Sequence, residues 1–266
     1  YINRKPSHCQ PNLTPDQLGE KFELEKGYPL EIHHDVADVN DPAFVESIRN
    51  NPNIACAVSV RCTQIFRPEI VAAVKSCAPF LNLHSGLLPQ YRGVMPTMRR
   101  MFDIATGKVA EKNIGFTLHK VDGFDPNLPD KGIDTGKIVS VQSIELNPAH
   151  SGYQASVSIV DAGSDAITDA LKYLQKGRYL HEIAQDNTKS TYYTFPTADE
   201  LCDWKQAGVV LVRPTDAIST LVNAFSKAGT AHGNKLENVM KEAIEQWYKE
   251  NCSCGIHGSA VRSLNG

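Results

Sequence analysis

Residues 80–93 read Phe-Leu-Asn-Leu-His-Ser-Gly-Leu-Leu-Pro-Gln-Tyr-Arg-Gly, and this is the most informative stretch of the sequence. Its first five residues predict a buried strand that ends at His84. Side chains alternate across a strand, so Asn82 and His84 should lie on the same face. Asn82 can donate an amide N–H to a developing oxyanion, and His84 can transfer a proton near neutral pH. We therefore expect chemistry at the end of this strand.

Strand and helix patterns alternate around this stretch. The apolar run 54–60 is typical of a parallel strand buried on both faces. Helices are predicted at 41–50, with Asp41 as N-cap, and at 68–74. Such alternation predicts an α/β fold, with a Rossmann-like, mostly parallel sheet flanked by helices. The remaining predictions are helices at 16–25, 96–104, 165–175, 217–225 and 236–248, a strand at 29–34, an antiparallel pair at 113–121 and 136–144, and a loop-and-strand region at 192–212.

A second informative segment is Gly132-Ile133-Asp134-Thr135-Gly136, which lies between the two strands of the predicted antiparallel pair. Its two glycines allow the loop to fold back closely. An amide donor, an imidazole and a carboxylate are the groups that an acyl-transfer site requires. Asn82, His84 and Asp134 are therefore the predicted catalytic residues.

These segments resemble the 10-formyltetrahydrofolate-dependent formyltransferases, a family that includes glycinamide ribonucleotide transformylase, methionyl-tRNA formyltransferase and the sugar N-formyltransferases. The family pattern is Asn-x-His-x-(Ser/Gly)-Leu-Leu-Pro, then an aromatic residue, Arg and Gly, and later an Asp-x-Gly loop. The stretch Gly115–His119 also falls where the family has Gly-x-(Thr/Ser)-x-His. The resemblance covers residues 28–146 well and 147–225 weakly. The matching residues are Asn82, His84, Gly86, Leu87, Leu88, Pro89, Tyr91, Arg92, Gly93, Asp134 and Gly136.

The resemblance implies transfer of a formyl group from 10-formyltetrahydrofolate to an amine, without a metal. Asn82 would donate to the oxyanion of a tetrahedral intermediate, and His84 would donate a hydrogen bond or carry the proton. Asp134 would orient His84 and a water. The loop before Pro68 would hold the pterin of the folate through backbone groups, and two leucines would pack against the ring. The expected folate-binding residues are Gln64, Ile65, Phe66, Leu87 and Leu88.

The acceptor is predicted to be a small soluble amine that carries an anionic group. Arg92, Arg99 and Arg100 cluster near the motif and could pair with such a group, although a solvated helix face also explains the last two. The continuation from Tyr91 to Pro96 resembles the sugar enzymes more than the purine enzyme. An amino sugar on a nucleotide carrier is therefore the expected acceptor. The net charge of −3 argues against a nucleic-acid partner.

Several other functions stay open. A hydroxylated amino-acid amine of the siderophore type and methionyl-tRNA are the other acceptors. Formyltetrahydrofolate hydrolase would use water in place of an amine. That enzyme has a second histidine directly after the first, where this chain has Ser85. A non-catalytic folate-binding protein would not need Asn82, His84 and Asp134 together.

Composition is that of an ordinary globular protein, with 266 residues, 41% hydrophobic and 21% charged. The seven cysteines are scattered and odd in number, which favours a reducing cytoplasm over a disulfide framework. The sequence has no run of about eighteen apolar residues, so no membrane partner is expected. Cys252-Ser253-Cys254 with His257 lacks a second pair of ligands, so no metal is expected. A homodimer stays open.

Two domains are predicted, a catalytic domain at 1–180 and a mainly helical C-terminal extension at 181–266. The family opens with a strand, a loop and a helix ahead of the segment near Gly27. Residues 1–27 contain no glycine-rich phosphate loop, so that element is either truncated or replaced. Because the sequence begins with Tyr rather than Met, we expect the protein to continue N-terminally. The 123–131 excursion is expected at the rim of the site, where it either shapes acceptor choice or is neutral.

Overall fold

The computed structural model describes residues 36–75, 78–124, 132–213, 215, 216, 218, 219, 222 and 229–251. Several predicted features lie outside these residues. They are the helix at 16–25, the strand at 29–34, most of the 123–131 loop, most of the helix at 217–225 and the Cys252–His257 motif.

Helices and strands alternate along the described chain, and the predicted α/β class is confirmed. The elements are α1 Pro42–Arg49, β1 Ala57–Val60, α2 Pro68–Lys75, β2 Phe80–His84, β3 Arg92–Gly93, α3 Pro96–Ala105, β4 Asn113–Lys120, β5 Ile138–Glu145, α4 Gly152–Gln175, a short 3₁₀ helix Asn187–Lys189, β6 Tyr192–Tyr193, α5 Ala198–Gln206 and α6 Ala231–Asn251.

The central sheet has four strands in the order β1-β2-β4-β5. Strands β1 and β2 are parallel, whereas β2 and β4 are antiparallel. The Lys120 N–H donates to the Lys137 carbonyl (2.9 Å) and the Leu146 N–H to the Lys112 carbonyl (2.9 Å), so β4 and β5 also run in opposite directions. The predicted antiparallel pair is therefore confirmed. This order places β4 directly beside β2, the strand that carries Asn82 and His84.

Helices cover both faces of β2. Helix α1 begins where the sequence predicts, because the Asp41 carboxylate accepts the N–H groups of Ala43 (2.9 Å) and Phe44 (3.1 Å). On the opposite face, a Cβ placed on Gly163 of α4 would lie 2.5 Å from a methyl group of Leu83, so any larger residue there would require the Leu83 side chain to shift. The apolar cluster beneath α1 and α2 contains Val45, Ile70, Val71, Ala73, Val74, Phe80 and Val121.

Four elements differ from their predictions. Helix α6 runs from Ala231 to Asn251, whereas the predicted range was 236–248. The strand predicted at 54–60 begins at Ala57. Helix α4 begins at Gly152 and so is longer than the predicted 165–175; Ser151 and Gln154 exchange hydrogen bonds at its start (3.2 and 3.3 Å). Helix α5 lies in the region that was predicted as loop and strand, and Thr197 caps it in the same reciprocal way.

The chain divides into two compact units that interleave along the sequence. Of the described residues, one unit contains those from 36 to 96, Gly115–Ser143 and Asp161–Thr194. The other contains Thr97–Ile114, Ile144–Val160 and the described residues from Phe195 onward. The predicted catalytic residues all belong to the first unit. The predicted division near residue 180 stays a prediction.

Two features are absent from the part of the chain that the structure describes. No group of three or more His, Cys, Asp or Glu side chains is placed to hold a metal ion. None of the described helices combines the length and apolar character needed to cross a membrane.

Candidate active site

Polar side chains form a row across three neighbouring strands. Ser59 of β1 is level with Asn82 of β2, and Asn82 is level with His119 of β4. Residues that pair across strands point to the same face of the sheet. The Asn82 Nδ2 lies 3.1 Å from the His119 Nε2, so these two side chains are in contact. Asn82 is half-buried, whereas Ser59 and His119 are buried.

The Asp134 loop places a carboxylate against this row. Asp134 Oδ2 lies 3.4 Å from His84 Nδ1, and its Oδ1 lies 3.5 Å from His119 Nε2. The Gly93 backbone N–H also donates to Oδ2 (2.9 Å). The three predicted catalytic residues therefore lie together, and His119 joins them.

Backbone carbonyls select the proton positions on both histidine rings. The His84 Nε2 lies 2.6 Å from the Tyr91 carbonyl, which can only accept, so Nε2 carries a hydrogen. The remaining nitrogen of His84, Nδ1, faces Asp134. In the same way, His119 Nδ1 donates to the Lys120 carbonyl (2.8 Å), and its Nε2 faces the Asn82 amide. A proton taken up by His84 therefore binds at Nδ1, beside the carboxylate.

Burial and charge act on the two ionisable groups of this pair. Burial lowers the pKa of His84 below its ordinary value; the Asp134 carboxylate opposes this, and His119 and Arg92 add to the lowering. Burial alone would raise the pKa of Asp134. The neighbouring His84 and His119 rings and the Gly93 N–H outweigh it and hold that pKa well below its ordinary value. Asp134 is thus ionised at neutral pH, and His84 is available as a neutral base.

The backbone of the Asp134 loop comes very close to β4. Asp134 itself has a positive φ of 57°. A Cβ placed on Gly136 would lie 1.8 Å from the Lys120 carbonyl oxygen, so no other residue fits there without a backbone shift. Gly132 is different, because among the described residues a Cβ there would come within 4 Å of the Thr135 methyl alone, at 3.2 Å. The predicted close approach of the loop is therefore confirmed at Gly136.

We expect Gly136→Ala to destabilise the protein by about 2 kcal/mol or more, because the added methyl group meets a backbone carbonyl in a packed region. Gly132→Ala is the matched control and should cost less than about 1 kcal/mol. Urea unfolding of both variants measures the difference, provided that the m-values are unchanged. Equal midpoints for the two variants would contradict the packing described for this loop.

The residues expected to bind folate lie in two places. In the first, the Gln64 side chain holds residues 37–39, accepting from the Val39 N–H (2.7 Å) and donating to the Ala37 carbonyl (2.6 Å). The Ile65 carbonyl accepts from the Asn40 amide (3.0 Å), while the Ile65 side chain is 48% exposed. Phe66 packs edge-on against Phe80, with ring centroids 4.8 Å apart.

The second place contains the two leucines. The Leu88 side chain is buried and the Leu88 backbone N–H donates to Thr117 Oγ1 (3.0 Å), whereas Leu87 is half-buried. Their contact with folate stays a prediction.

The three arginines expected to meet the acceptor all have protein partners. Arg92 donates to the Gln185 side-chain oxygen (2.7 and 3.2 Å). Arg99, in the second unit, pairs with Glu200 and lies 4.9 Å from the centre of the Trp204 ring. Arg100 donates to the backbone and side-chain oxygens of Asn113 (2.9 and 2.7 Å). These contacts give no support to an acceptor-binding role, which stays a prediction for each arginine.

Two residues of the site were not predicted. His119 lies in the quoted Gly115–His119 stretch, but its contact with Asn82 depends on the register between β2 and β4. Gln185 donates to the carbonyls of Asp134 (2.8 Å) and Gly136 (2.7 Å). The sequence around Gln185 gives no local signal for this contact, because its partners are distant in the chain.

Comparison with known proteins gives a family and several relatives. Residues 29–171 match the family described as formyl transferase. A methionyl-tRNA formyltransferase from Syntrophomonas wolfei is 24% identical over 80% of this chain and 62% of its own length. Another, from Synechococcus sp. (strain JA-3-3Ab), is 27% identical over 67% of this chain and 51% of its own length. The chain thus spans between half and two thirds of the length of these relatives.

Similarity to solved structures is weaker. A sugar N-formyltransferase from Shewanella sp FDAARGOS_354 is 21% identical, with a TM-score of 0.46 over 64% of this chain and 65% of that chain. The match to the family extends over more than half of the 266 residues. This chain therefore belongs to the formyl transferase family.

Proposed function

We propose that this chain transfers a formyl group from 10-formyltetrahydrofolate to an amine. The observation that carries the proposal is that an amide, an imidazole and a carboxylate lie together at the end of strand β2. These groups belong to Asn82, His84 and Asp134. The folate co-substrate supplies the formyl carbon, which gains a bond to the acceptor nitrogen and loses its bond to folate N10 while one proton passes from the amine to the folate.

Each of the three side chains has a distinct role in this proposal. The Asn82 amide donates one N–H to His119 Nε2, and its second N–H donates to the oxyanion of the tetrahedral intermediate. His84 takes the proton of the attacking amine at Nδ1, the nitrogen that the Tyr91 carbonyl leaves unprotonated. Asp134 stabilises the imidazolium that forms, because its carboxylate lies 3.4 Å from that nitrogen.

We expect kcat to rise with pH and then level, with a midpoint below about 6.5, the ordinary value for histidine. The reason is that His84 must be neutral to accept a proton, and burial lowers its pKa. The measurement is kcat from pH 5 to 9 at saturating substrates, with chemistry shown to be rate-limiting. A midpoint above about 6.5 would contradict the role of His84 as a base with a lowered pKa.

The folate co-substrate is proposed to bind beside Leu87 and Leu88, with its pterin at the loop that contains Gln64, Ile65 and Phe66. Backbone groups tolerate any side chain, so this loop needs no particular sequence. Phe66 anchors the loop to the core through Phe80, and Gln64 ties it to residues 37–39. These contacts support a loop held in a defined position before any ligand binds.

Tetrahydrofolate should raise the melting temperature without any acceptor. At a hundred times Kd, a ligand that binds only the folded state adds about 2.7 kcal/mol, which corresponds to a shift of about 5–10 °C for a protein of this size. Differential scanning fluorimetry measures the shift, and p-aminobenzoylglutamate, which lacks the pterin, is the control ligand. Equal shifts with both ligands would show that the pterin is not recognised.

For the acceptor, we propose a small amine, specifically an amino sugar on a nucleotide carrier. The Tyr91–Pro96 continuation and the net charge of −3 support this choice. Methionyl-tRNA is the second candidate, because the relatives described above carry that name. The two acceptors differ in size and in charge, so one assay separates them.

The assay follows formylated product from a nucleotide-linked amino sugar and from methionyl-tRNA at rising salt concentration. A small acceptor should react faster and lose little rate with salt. A tRNA acceptor would bind through many phosphates, and its affinity would fall steeply as salt rises. Faster formylation of methionyl-tRNA would overturn the choice of acceptor but would keep the formyl-transfer proposal.

A further inference from the structure

One segment of the first unit holds the backbone of the Asp134 loop. This segment, residues 183–193, is called the clamp segment below. At one end, Ile183 and Ile138 exchange backbone hydrogen bonds (2.8 and 2.9 Å). At the other end, β6 pairs in parallel with β3, so the clamp segment is attached to both the start of β5 and the motif that contains Arg92. Gln185 lies between these two attachments.

The Gln185 side chain uses all of its hydrogen-bonding capacity. Its Nε2 donates to the carbonyls of Asp134 (2.8 Å) and Gly136 (2.7 Å). Its Oε1 accepts two bonds from Arg92, from Nε (3.2 Å) and from Nη2 (2.7 Å). A guanidinium only donates and a carbonyl only accepts, so the amide can take only one orientation. Arg92 therefore directs the two N–H groups of Gln185 at the loop.

These bonds hold Asp134 in a backbone conformation that it would not otherwise prefer. Its φ of 57° is in the left-handed region, which disfavours residues with a side chain. Such conformations persist where several contacts determine them together. Gln185 fixes the carbonyls of Asp134 and Gly136, while Gly93, next to Arg92, donates its N–H to the Asp134 carboxylate (2.9 Å). Asp134 therefore lies within a closed ring of hydrogen bonds, which is formed by the loop, Gln185, Arg92 and Gly93.

We propose that Gln185 is a positioning residue for catalysis, which sets the distance between the Asp134 carboxylate and His84 by fixing the loop backbone. The proposal rests on the proposed function for its kinetic consequence. It also assigns Arg92 to the same clamp rather than to the acceptor. A residue with only a structural role would affect stability without altering the electrostatic surroundings of His84.

The test uses two substitutions in the clamp segment that keep the approximate size of the side chain. Gln185→Met removes both donors to the loop and the oxygen that accepts from Arg92. Lys189→Met is the control, because it removes an exposed ion pair with Asp186 (3.3 Å) in the same segment. We expect Gln185→Met to lower kcat about 10- to 100-fold with the KM for 10-formyltetrahydrofolate within about twofold, the split expected for a lost transition-state interaction. Lys189→Met should keep kcat within about twofold of the wild type.

A second readout is independent of activity. NMR titration of the His84 ring reports the charges that face it, which are Asp134, His119 and Arg92, together with the Tyr91 carbonyl. Because Asp134 raises the pKa of His84, a displaced loop should move that pKa further down in Gln185→Met, whereas Lys189→Met should leave it unchanged. An unmoved His84 pKa in Gln185→Met, or a kcat equal to that of Lys189→Met, would overturn the proposal. If the wild type has no formyltransferase activity but Gln185→Met still lowers the pKa of His84, the proposed function is rejected. The role of Gln185 in holding the Asp134 loop is then kept.

Discussion

Replacing His84 with alanine is expected to reduce kcat about 10²- to 10⁴-fold, the contribution typical of a positioned acid–base group. The ring is buried, its Nε2 is bound by the Tyr91 carbonyl, and its Nδ1 faces the Asp134 carboxylate at 3.4 Å. Asp134 does not replace it as the base, because the carboxylate is held ionised with a low pKa and is a weak base. The measurement is kcat at saturating 10-formyltetrahydrofolate and acceptor.

The control for this experiment is His181→Ala, which removes an exposed histidine from the same unit. It should leave kcat unchanged. Tetrahydrofolate binding should survive in both variants, which shows that the folate site is intact. A folded His84→Ala variant with kcat within about tenfold of the wild type would remove His84 from the mechanism.

Asp134→Asn is expected to have the second largest effect, a loss of about 10²-fold or more in kcat. The substitution keeps the shape of the side chain and an oxygen for the Gly93 N–H, but it removes the charge that stabilises a protonated His84. The kcat–pH midpoint should also fall, because Asp134 raises the pKa of His84. The double variant should be little worse than His84→Ala alone, since residues that act as a unit are not additive. Additive losses would show that the two residues act independently.

Asp134 should also contribute to stability in a pH-dependent way. Its pKa in the folded protein is below its ordinary value, so its stabilisation is present above about pH 4 and is lost as the pH falls through the folded value. The difference in melting temperature between the wild type and Asp134→Asn should therefore narrow as the solution becomes acidic. A constant difference would indicate that the asparagine acts through packing rather than through charge.

The parts of the site that depend on local rules could be predicted from the sequence. The alternation of side chains along a strand placed Asn82 and His84 on one face, and the glycine at 136 indicated a close backbone approach. Two helices were misjudged although the sequence carried their start signals. Ser151 with Gln154, and Thr197 with Glu200, have the spacing of a capping box.

The parts that depend on register and on distant contacts could not be predicted. His119 meets Asn82 only because β4 pairs with β2 in one particular register. Gln185 reaches the Asp134 loop through the path of the clamp segment, which no local pattern specifies. Arg99 lies near the motif in sequence, yet its guanidinium is occupied by Glu200 and Trp204 in the other unit. Proximity along the chain was a poor guide to the surroundings of that side chain.

Formyl transfer from folate to an amine is the reaction that we propose for this chain. The most direct test incubates the purified protein with 10-formyltetrahydrofolate and, in separate reactions, a nucleotide-linked amino sugar, a hydroxylated amino-acid amine, methionyl-tRNA and no amine. Tetrahydrofolate and N-formyl product are then quantified together. We predict equimolar amounts of the two products with the amino sugar, and at least about 100-fold less of both with His84→Ala in the same time. Tetrahydrofolate release without any amine, or no formylated product from any acceptor with a chain that binds tetrahydrofolate, would contradict the claim.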